Sequence, residues 1–353
     1  MAKYKIAFMP GDGIGKDVLE SAKIVFENID LDIEWIDAEI GWSCWEKYGN
    51  ALPDHTIDIL KETKCAYFGA ITSKPGVKGY RSPIVKLRQL FDLYINLRPI
   101  KAYEGNPLNF KEGIDIVIFR ENTEDLYKGI EYQPIPEQML SLPGMEGIEK
   151  DAGVSLRIIT RKGCNRIVKA AFEYAKKHNR KKVTAVHKAN VIRVTDGIFL
   201  EEARKIAAEY PNIQFEDANI DAIAMWLIKN PLSYDVIVTT NMFGDIISDE
   251  AAQLVGGLGF GCSGNIGEKY AVFEPTHGSA PKYAGMYKVN PIAAILAGKL
   301  MLDWLGEDEK AKKLEYAIAG VIREGKVKTY DMGGNSSTLE VAKEIGKKLW
   351  EKQ

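Results

Sequence analysis

Two carboxylates, three arginines, a tyrosine and a lysine stand where their types and spacing could do chemistry. Asp245 and Asp249, in NMFGDIISDEAA, are four residues apart in a helix-like run that follows the apolar stretch DVIVTT. That spacing sets both carboxylates on one helix face. Paired carboxylates at the carboxyl end of a strand suit a hard divalent cation, which takes oxygen ligands and leaves places for substrate oxygens. The same spacing also fits a solvated acidic face. Arg88 ends a helical run, Arg98 closes DLYINLRP, and Arg120 follows the strand candidate DIVIFR. Guanidinium groups at segment ends can grip carboxylates through two parallel hydrogen bonds. Three of them beside Glu121, Asn122 and Tyr127 suit a polyanionic substrate, although each alone also reads as a structural arginine. Lys188 ends the strand candidate in AVHKAN. Burial can bring a lysine into the range of acid–base work, whereas an exposed one is simply solvated.

Two glycine-bearing loops compete for a nucleotide. FMPGDGIGKD, residues 8–17, lies between an apolar run and a helix-like run, the strand–turn–helix order of a dinucleotide-binding unit. Its third fingerprint glycine would fall at Lys16, and a sharp strand-to-helix turn explains the same glycines. The second loop is EPTHGSAPKYAGMYKVNP, residues 274–291, which follows the Gly-rich VGGLGFGCSGNIG. Irregular stretches of this length inside a compact domain tend to be functional. This one offers backbone donors, His277 and Lys282; His277 alone equally suits a structural histidine.

The elements that must position these groups alternate. YKIAFM, DIEWIDA, CAYFGAI, DIVIFREN, KVTAVHKA and DVIVTT read as strands. SPIVKLRQLF, RKGCNRIVKAAFEYAKKH, DGIFLEEARKIAAEY and GDIISDEAAQLV read as helices. The alternation predicts an α/β architecture with substantial parallel sheet. One segment breaks the rhythm: Gln133 to Gly153 is rich in proline and glycine, and it fits either a surface loop or an arm packed on a second subunit.

The chain has 353 residues, about right for two domains. It is 46% apolar and 27% charged with a formal net charge of −2, which argues against disorder and gives no basic surplus for nucleic acid. The N-terminus enters a strand directly, with no signal peptide, and no apolar run is long enough to span a bilayer. Cys44, Cys65, Cys164 and Cys262 are scattered without metal-ligand spacing, as expected of reduced thiols in a cytoplasmic protein.

Taken together, GDGIG, SPIVKLRQLFDLYINLRP, FRENTEDLYKGIE, HKAN, NMFGDIISDEAA, GGLGFGCSGNIG and EPTHGSAPKYAG resemble the β-decarboxylating dehydrogenases. These are the isocitrate, homoisocitrate and 3-isopropylmalate dehydrogenases, and the matching pieces run in family order over nearly the whole chain. The resemblance implies their two-domain α/β fold, which is not a Rossmann fold. Residues 1–93 with 256–353 would form the large cofactor-side domain. Residues 94–255 would form the small domain, with the dimer interface and an intersubunit arm at about 125–160. It implies that Ser82, Arg88, Arg98 and Arg120 hold the substrate carboxylates, and that Tyr127 and Lys188 are the acid–base pair. Asp221, Asp245 and Asp249 would bind Mg²⁺ or Mn²⁺. In relatives the lysine and the first aspartate reach in from the partner subunit, so a homodimer with shared sites is expected.

The resemblance also moves the cofactor away from the early glycine turn. It would lie along Glu274, His277, Gly278, Ser279, Ala280, Lys282, Tyr283, Val289 and Asn290, with Ile71 and Thr72 of GAITS and with Tyr330. Gly11, Gly13 and Gly15 would then only shape a turn. Lys282, Tyr283 and Tyr330 match residues that hold the 2′-phosphate in NADP-using relatives, so NADP is expected ahead of NAD. Against it, Gly333–Gly334 lack an arginine that some of those relatives carry. Ser82 and the flanking segments put isocitrate first, homoisocitrate second and 3-isopropylmalate third, with Ile84 standing where isocitrate enzymes commonly have asparagine. A non-enzymatic nucleotide- or metal-binding protein would not need Tyr127, Lys188 and three aspartates together.

Overall fold

The computed structural model describes residues 3–351 apart from 75 and 78. Twelve strands are β1 (Tyr4–Gly11), β2 (Ile33–Asp37), β3 (Cys65–Ala70), β4 (Ile95–Lys101), β5 (Asp115–Glu121), β6 (Glu131–Tyr132), β7 (Val154–Ser155), β8 (Lys182–His187), β9 (Gln214–Asn219), β10 (Val236–Thr239), β11 (Cys262–Ile266) and β12 (Ala271–Pro275). Ten of them form one sheet in the order β2-β1-β3-β12-β11-β4-β5-β10-β8-β9, while β6 and β7 pair by themselves. The outer strands pair in parallel: β2, β1, β3 and β12 on one side, and β5, β10, β8 and β9 on the other. Between them β12, β11, β4 and β5 pair antiparallel, so the two parallel sets run in opposite senses.

All six strand candidates are strands, and the α/β reading holds. Strands β4, β6, β7, β9, β11 and β12 lie outside those candidates. The reason is physical for β4 and β11: INLRPIK and CSGNI carry Arg, Asn, Ser, Gly and Pro where a strand signal needs apolar residues. Burial alternates along β5 in a different way, with both faces apolar. Val117 and Phe119 enter one core, and Ile116 and Ile118 enter another.

Helices cover both faces. Gly15–Phe26, Ile292–Trp304, Asp308–Glu324 and Thr338–Lys348 pack on one side of the first strand set around Ile6, Tyr67 and Phe273. Arg161–Lys177 packs Ile167, Val168, Ala171 and Phe172 against Val117 and Phe119. It begins where the Thr160 hydroxyl accepts from Gly163 N at 3.0 Å, an N-cap, and its apolar residues recur at three- and four-residue spacing. Helix Thr338–Lys348 opens with a reciprocal Ser337–Glu340 capping box. The four cysteines are buried free thiols, and among the described residues no helix is long and apolar enough to cross a membrane.

Candidate active site

The register of the antiparallel strands sets Arg120 beside Asn96, Asn96 beside Asn265, and Ser263 beside Glu274. Because side chains alternate along a strand, Arg98 joins Asn96, and the whole row lies on one sheet face. All six of these side chains are buried. Asn265 Oδ1 accepts from Arg88 Nε at 2.9 Å, Asn96 Nδ2 at 2.8 Å and Asn122 Nδ2 at 2.9 Å. Its Nδ2 donates to Glu274 at 2.7 Å, and Arg88 pairs with the same carboxylate at 3.1 Å. Arg98 donates to Asn96 at 2.7 Å, to the Ser248 hydroxyl at 2.6 Å and to Asp249 at 3.0 Å. Arg120 donates to the side chain of Asn241 at 2.7 and 3.0 Å and to Asp245 at 2.5 Å.

Helix Asn241–Gln253 thus brings Asp245 and Asp249 to the arginines, as their four-residue spacing predicts. Tyr127, from the one-turn helix Leu126–Lys128, donates its phenolic O–H to Asp245 and lies under the Arg120 guanidinium, 5.0 Å from ring centroid. Burial alone would raise the pKa of Asp245, but Arg120 and Arg98 outweigh it and hold the carboxylate below its usual range. Asp249 is pushed upward, by burial first and then by the charge of Asp245. Tyr127 is raised by burial and by the bond to Asp245, so it stays protonated at neutral pH. Burial, with Arg98 and Arg88 nearby, lowers Arg120 to about 9, still charged at neutral pH.

Lys188 and Asp221 form a separate pair. Lys188 follows β8, Asp221 sits in the first turn of helix Ile220–Lys229, and Nζ lies 2.5 Å from Oδ1. The Lys188 bond holds Asp221 below the usual carboxylate range. Asp221 remains exposed. Among the described residues no three His, Cys, Asp or Glu side chains of the chain gather as a metal site. Ser82 is half-buried at the start of helix Pro83–Leu90, next to buried Ile84.

The loops expected to hold a dinucleotide meet at the ends of β1, β3 and β12. The Thr72 and Ser279 hydroxyls are 2.6 Å apart. Gly13 has φ +58°, and a Cβ there would stand 2.0 Å from the Ser279 carbonyl oxygen, which accepts from Ile14 N at 2.8 Å. Asp12 N donates to the Ala70 carbonyl at 2.7 Å, while the Asp12 carboxylate accepts from the amides of Trp42 at 2.7 Å and Thr72 at 2.8 Å. The turn amides of Asp12, Ile14 and Gly15 are therefore spent inside the fold. Ile71 is half-buried, Gly278 is exposed and Ala280 adopts φ +33°. His277 Nδ1 is 3.0 Å from the Gly278 carbonyl oxygen, while its Nε2 and the Thr276 hydroxyl are buried without a hydrogen-bond partner.

Further along, exposed Lys282 covers the Tyr283 ring at 4.8 Å, Tyr283 faces Tyr330 at 6.3 Å, and Lys288 covers the Tyr330 ring at 5.3 Å. The Val289 carbonyl accepts from Thr338 at 2.6 Å, and Asn290 bonds Asp331 and the Ile292 amide, each at 3.0 Å. Glu274, expected on the cofactor side, is drawn into the buried Arg88 network. Sequence reasoning missed Asn96, Asn241, Ser248 and Asn265, which aim the arginines, and Lys288. For Asn96 and Asn265 the signal is the polar residue two positions away on the same strand, Arg98 on β4 and Ser263 on β11; Asn241, Ser248 and Lys288 carry no such pattern.

Comparison with known proteins agrees with this geometry. Residues 5–348 match the family described as isocitrate/isopropylmalate dehydrogenase. The chain is 48% identical to homoisocitrate dehydrogenase of Methanocaldococcus jannaschii, with 97% of this chain and 96% of that one covered. It is 47% identical to 3-isopropylmalate dehydrogenase of Methanothermobacter thermautotrophicus, with 99% of each covered. Isocitrate dehydrogenase from Methylococcus capsulatus superposes with a TM-score of 0.91 at 42% identity, over 99% of this chain and 100% of that one. With its antiparallel-centred sheet and arginine–aspartate cluster, the chain belongs to the isocitrate/isopropylmalate dehydrogenase family and is an oxidatively decarboxylating dehydrogenase of 2-hydroxy acids.

Proposed function

We propose that the chain oxidises and decarboxylates homoisocitrate with NADP and a divalent cation, as a homodimer whose sites are each built from both subunits. The observation that carries this reading is the convergence of Arg98, Arg120 and Tyr127 on Asp245 and Asp249, with Arg88 joined to Arg98 through Asn265 and Asn96. The three guanidinium groups are matched by Glu274, Asp249 and Asp245, so their pull on a polyanion becomes a net attraction once a cation adds its charge. Asp245, Asp249 and Asp221 of the partner subunit would hold Mg²⁺ or Mn²⁺ by oxygen donors, and the cation would supply positive charge and polarise substrate oxygens.

The arginines bind and orient the malate carboxylates. Lys188 of the partner subunit takes the proton of the 2-hydroxyl. A nicotinamide held along the loop of Ser279, Lys282 and Tyr283 would supply the hydride acceptor for C2. Loss of CO₂ leaves an enolate, and Tyr127, kept protonated in its buried position, returns a proton to C3. Sharing between subunits is supported by the exposed Lys188–Asp221 pair and by exposed Val191, Val194, Met225 and Trp226 around it, an apolar surface suited to a second copy. The Gln133–Gly153 arm would lie near that interface. Separate cores under the two parallel strand sets support residues 1–93 with 256–353 as the cofactor-side domain and 94–255 as the other.

The buried, unpartnered Thr276 hydroxyl and His277 Nε2 support a cofactor along Ile71, Thr72, residues 277–283, Val289, Asn290 and Tyr330. Lys282 and Lys288 beside the tyrosine pair support NADP. The resemblance puts isocitrate first, but the 48% identity to a protein named homoisocitrate dehydrogenase supports homoisocitrate ahead of it. Buried Ile84 and the 47% relative favour 3-isopropylmalate as the second reading. A panel of the three substrates against NAD and NADP, with Mg²⁺, tests this. Homoisocitrate should give the highest kcat/KM; a higher value for 3-isopropylmalate would replace the first reading with the second.

A further inference from the structure

Arg157 lies outside the arginine cluster, between two fully buried carboxylates, with only 11% of its side chain exposed. Its Nε donates to Asp125 at 2.8 Å and its Nη1 donates to Asp196. Further bonds reach the Thr195 hydroxyl at 3.0 Å and the Thr240 hydroxyl at 2.9 Å. Each aspartate holds a site-bearing segment with its remaining lone pairs. Asp125 accepts from Leu126 N at 2.9 Å, capping the turn that carries Tyr127. It also accepts from Met242 N at 3.1 Å, in the first turn of the helix that carries Asp245 and Asp249. Asp196 accepts from Lys188 N at 2.6 Å, at the backbone from which the lysine side chain departs.

We propose that Arg157 is a positioning residue that joins, within one subunit, the segment presenting Lys188 to the partner's site and the segments presenting Tyr127 and Asp245 to its own. The inference rests on the shared-site reading above. Under that reading a single buried guanidinium sets the geometry of both active sites of the dimer. A displaced Arg157 would leave Asp125 and Asp196 as buried charges without a partner, and each would rearrange with the segment it holds. Asp125 has φ +70°, a backbone conformation that L side chains rarely adopt, and its amide bond to the Ile158 carbonyl at 2.8 Å ties it to the strand segment next to Arg157.

The experiment uses heterodimers purified through a different affinity tag on each subunit, assayed well below the melting temperature of every variant. The control pairs Tyr127→Phe in one subunit with Lys188→Met in the other. One site is then intact, and about half of the wild-type activity should return, since a shared site needs one group from each chain. No recovery overturns the shared-site reading, and the coupling with it. With the control active, a wild-type/Arg157→Lys heterodimer should fall well below half, because both sites lose placement. In the Arg157→Lys homodimer kcat should drop roughly 10- to 100-fold with little change in substrate KM, the expected cost of about 1 Å of misplacement.

A heterodimer that keeps half or more of the activity overturns the inference. The two aspartates give the same test without touching Arg157. A heterodimer of wild type with Asp125→Asn should fall below half, because the loss at Asp125 reaches Lys188 of the same subunit through Arg157 and Asp196. Asp196→Asn should do the same through Asp125. If each heterodimer keeps half or more of the activity, the coupling is overturned even where Arg157→Lys does not fold.

Discussion

Tyr127 donates its phenolic O–H to Asp245, and that carboxylate also takes the Arg120 guanidinium at 2.5 Å. One oxygen set is therefore shared between an acid candidate and a cation ligand candidate, and substitution can separate the two roles. Tyr127→Phe removes the proton donor and leaves the carboxylate. Turnover should fall roughly 10²- to 10⁴-fold, the usual worth of a general acid, with the Mg²⁺ concentration for half-activity little changed. Asp245→Asn should lower turnover and raise that Mg²⁺ concentration together, because an anionic ligand is lost from a hard-cation site. Mg²⁺ titrations of initial rate separate them; an unchanged Mg²⁺ requirement in Asp245→Asn removes the aspartate from the cation site.

How much of this was legible in the sequence depends on what each residue faces. Helical spacing puts Asp245 and Asp249 on one face, but it fits a solvated acidic face as well, and only the family resemblance separates the two. Strands β5 and β10 were readable because both their faces meet apolar cores and leave unbroken apolar runs. Strands β4 and β11 were not, because one face of each is the site itself. Asn96, Arg98, Ser263 and Asn265 interrupt the apolar pattern there, so the residues that build the chemistry hide the strands that carry them. Glu274 looked like the start of a cofactor loop, yet it ends as the buried partner of Arg88, a contact 186 residues away in sequence that no local pattern encodes. Spacing gives no hint of the partner-subunit role that the resemblance implies for Asp221, whose near partner within the chain is Lys188.

The glycine turn that looks like a pyrophosphate cradle makes a structural prediction. Gly13 has φ +58°, and a Cβ would meet the Ser279 carbonyl at 2.0 Å. Gly13→Ala forces the turn away from the loop that carries Ser279 and breaks the Ile14–Ser279 hydrogen bond. Backbone strain of this kind costs roughly 1–3 kcal/mol. The melting temperature should fall and cofactor KM should rise together, with metal affinity unchanged. Gly49 is the control: it also has positive φ, but a Cβ there meets nothing within 4 Å, so Gly49→Ala should lower stability and leave cofactor KM alone. Equal cofactor effects in the two variants would remove the link between the turn and the cofactor loop.

On the sheet face opposite the arginines, Glu315 pairs with Lys101 at 2.5 Å and with Lys299 at 3.3 Å. Burial alone would raise Glu315, but Lys299 and Lys101 hold its folded-state pKa below the usual 4.5. A depressed carboxylate contributes stability above its unfolded pKa and loses it as pH falls through the folded value. Glu315→Gln should therefore cost roughly 1.5–3 kcal/mol at neutral pH, the range for hydrogen bonds to charged groups. The gap between wild type and variant should close as pH drops below 4.5. Lys299 is raised, by Glu315 and Asp303 against burial, so its own contribution is complete below the usual 10.5 and fades only at higher pH. Denaturant melts across pH 3 to 8 test this; a gap independent of pH would assign the loss to packing.

Lys282 makes the cofactor reading testable in isolation. It is exposed over the Tyr283 ring, with Lys288 over Tyr330 close by, so two cations flank the tyrosine pair. A 2′-phosphate dianion placed there gains a charge-assisted contact, whereas an aspartate in place of the lysine repels it. Loss of a hydrogen bond to a charged group is worth roughly 1.5–3 kcal/mol, about 10- to 150-fold in discrimination. Lys282→Asp should shift the ratio of kcat/KM for NADP over NAD by at least that factor toward NAD. Part of the original preference should remain, because Lys288, Tyr283 and Tyr330 are untouched. Lys288→Asp alone should act in the same direction, and the double variant should prefer NAD outright. The ratio is measured with saturating homoisocitrate and Mg²⁺. A wild type that already prefers NAD means that the missing arginine at Gly333–Gly334 outweighs both lysines, and the NADP reading falls. A wild type that prefers NADP with a ratio unmoved by Lys282→Asp means that Lys282 faces solvent and another group reads the phosphate.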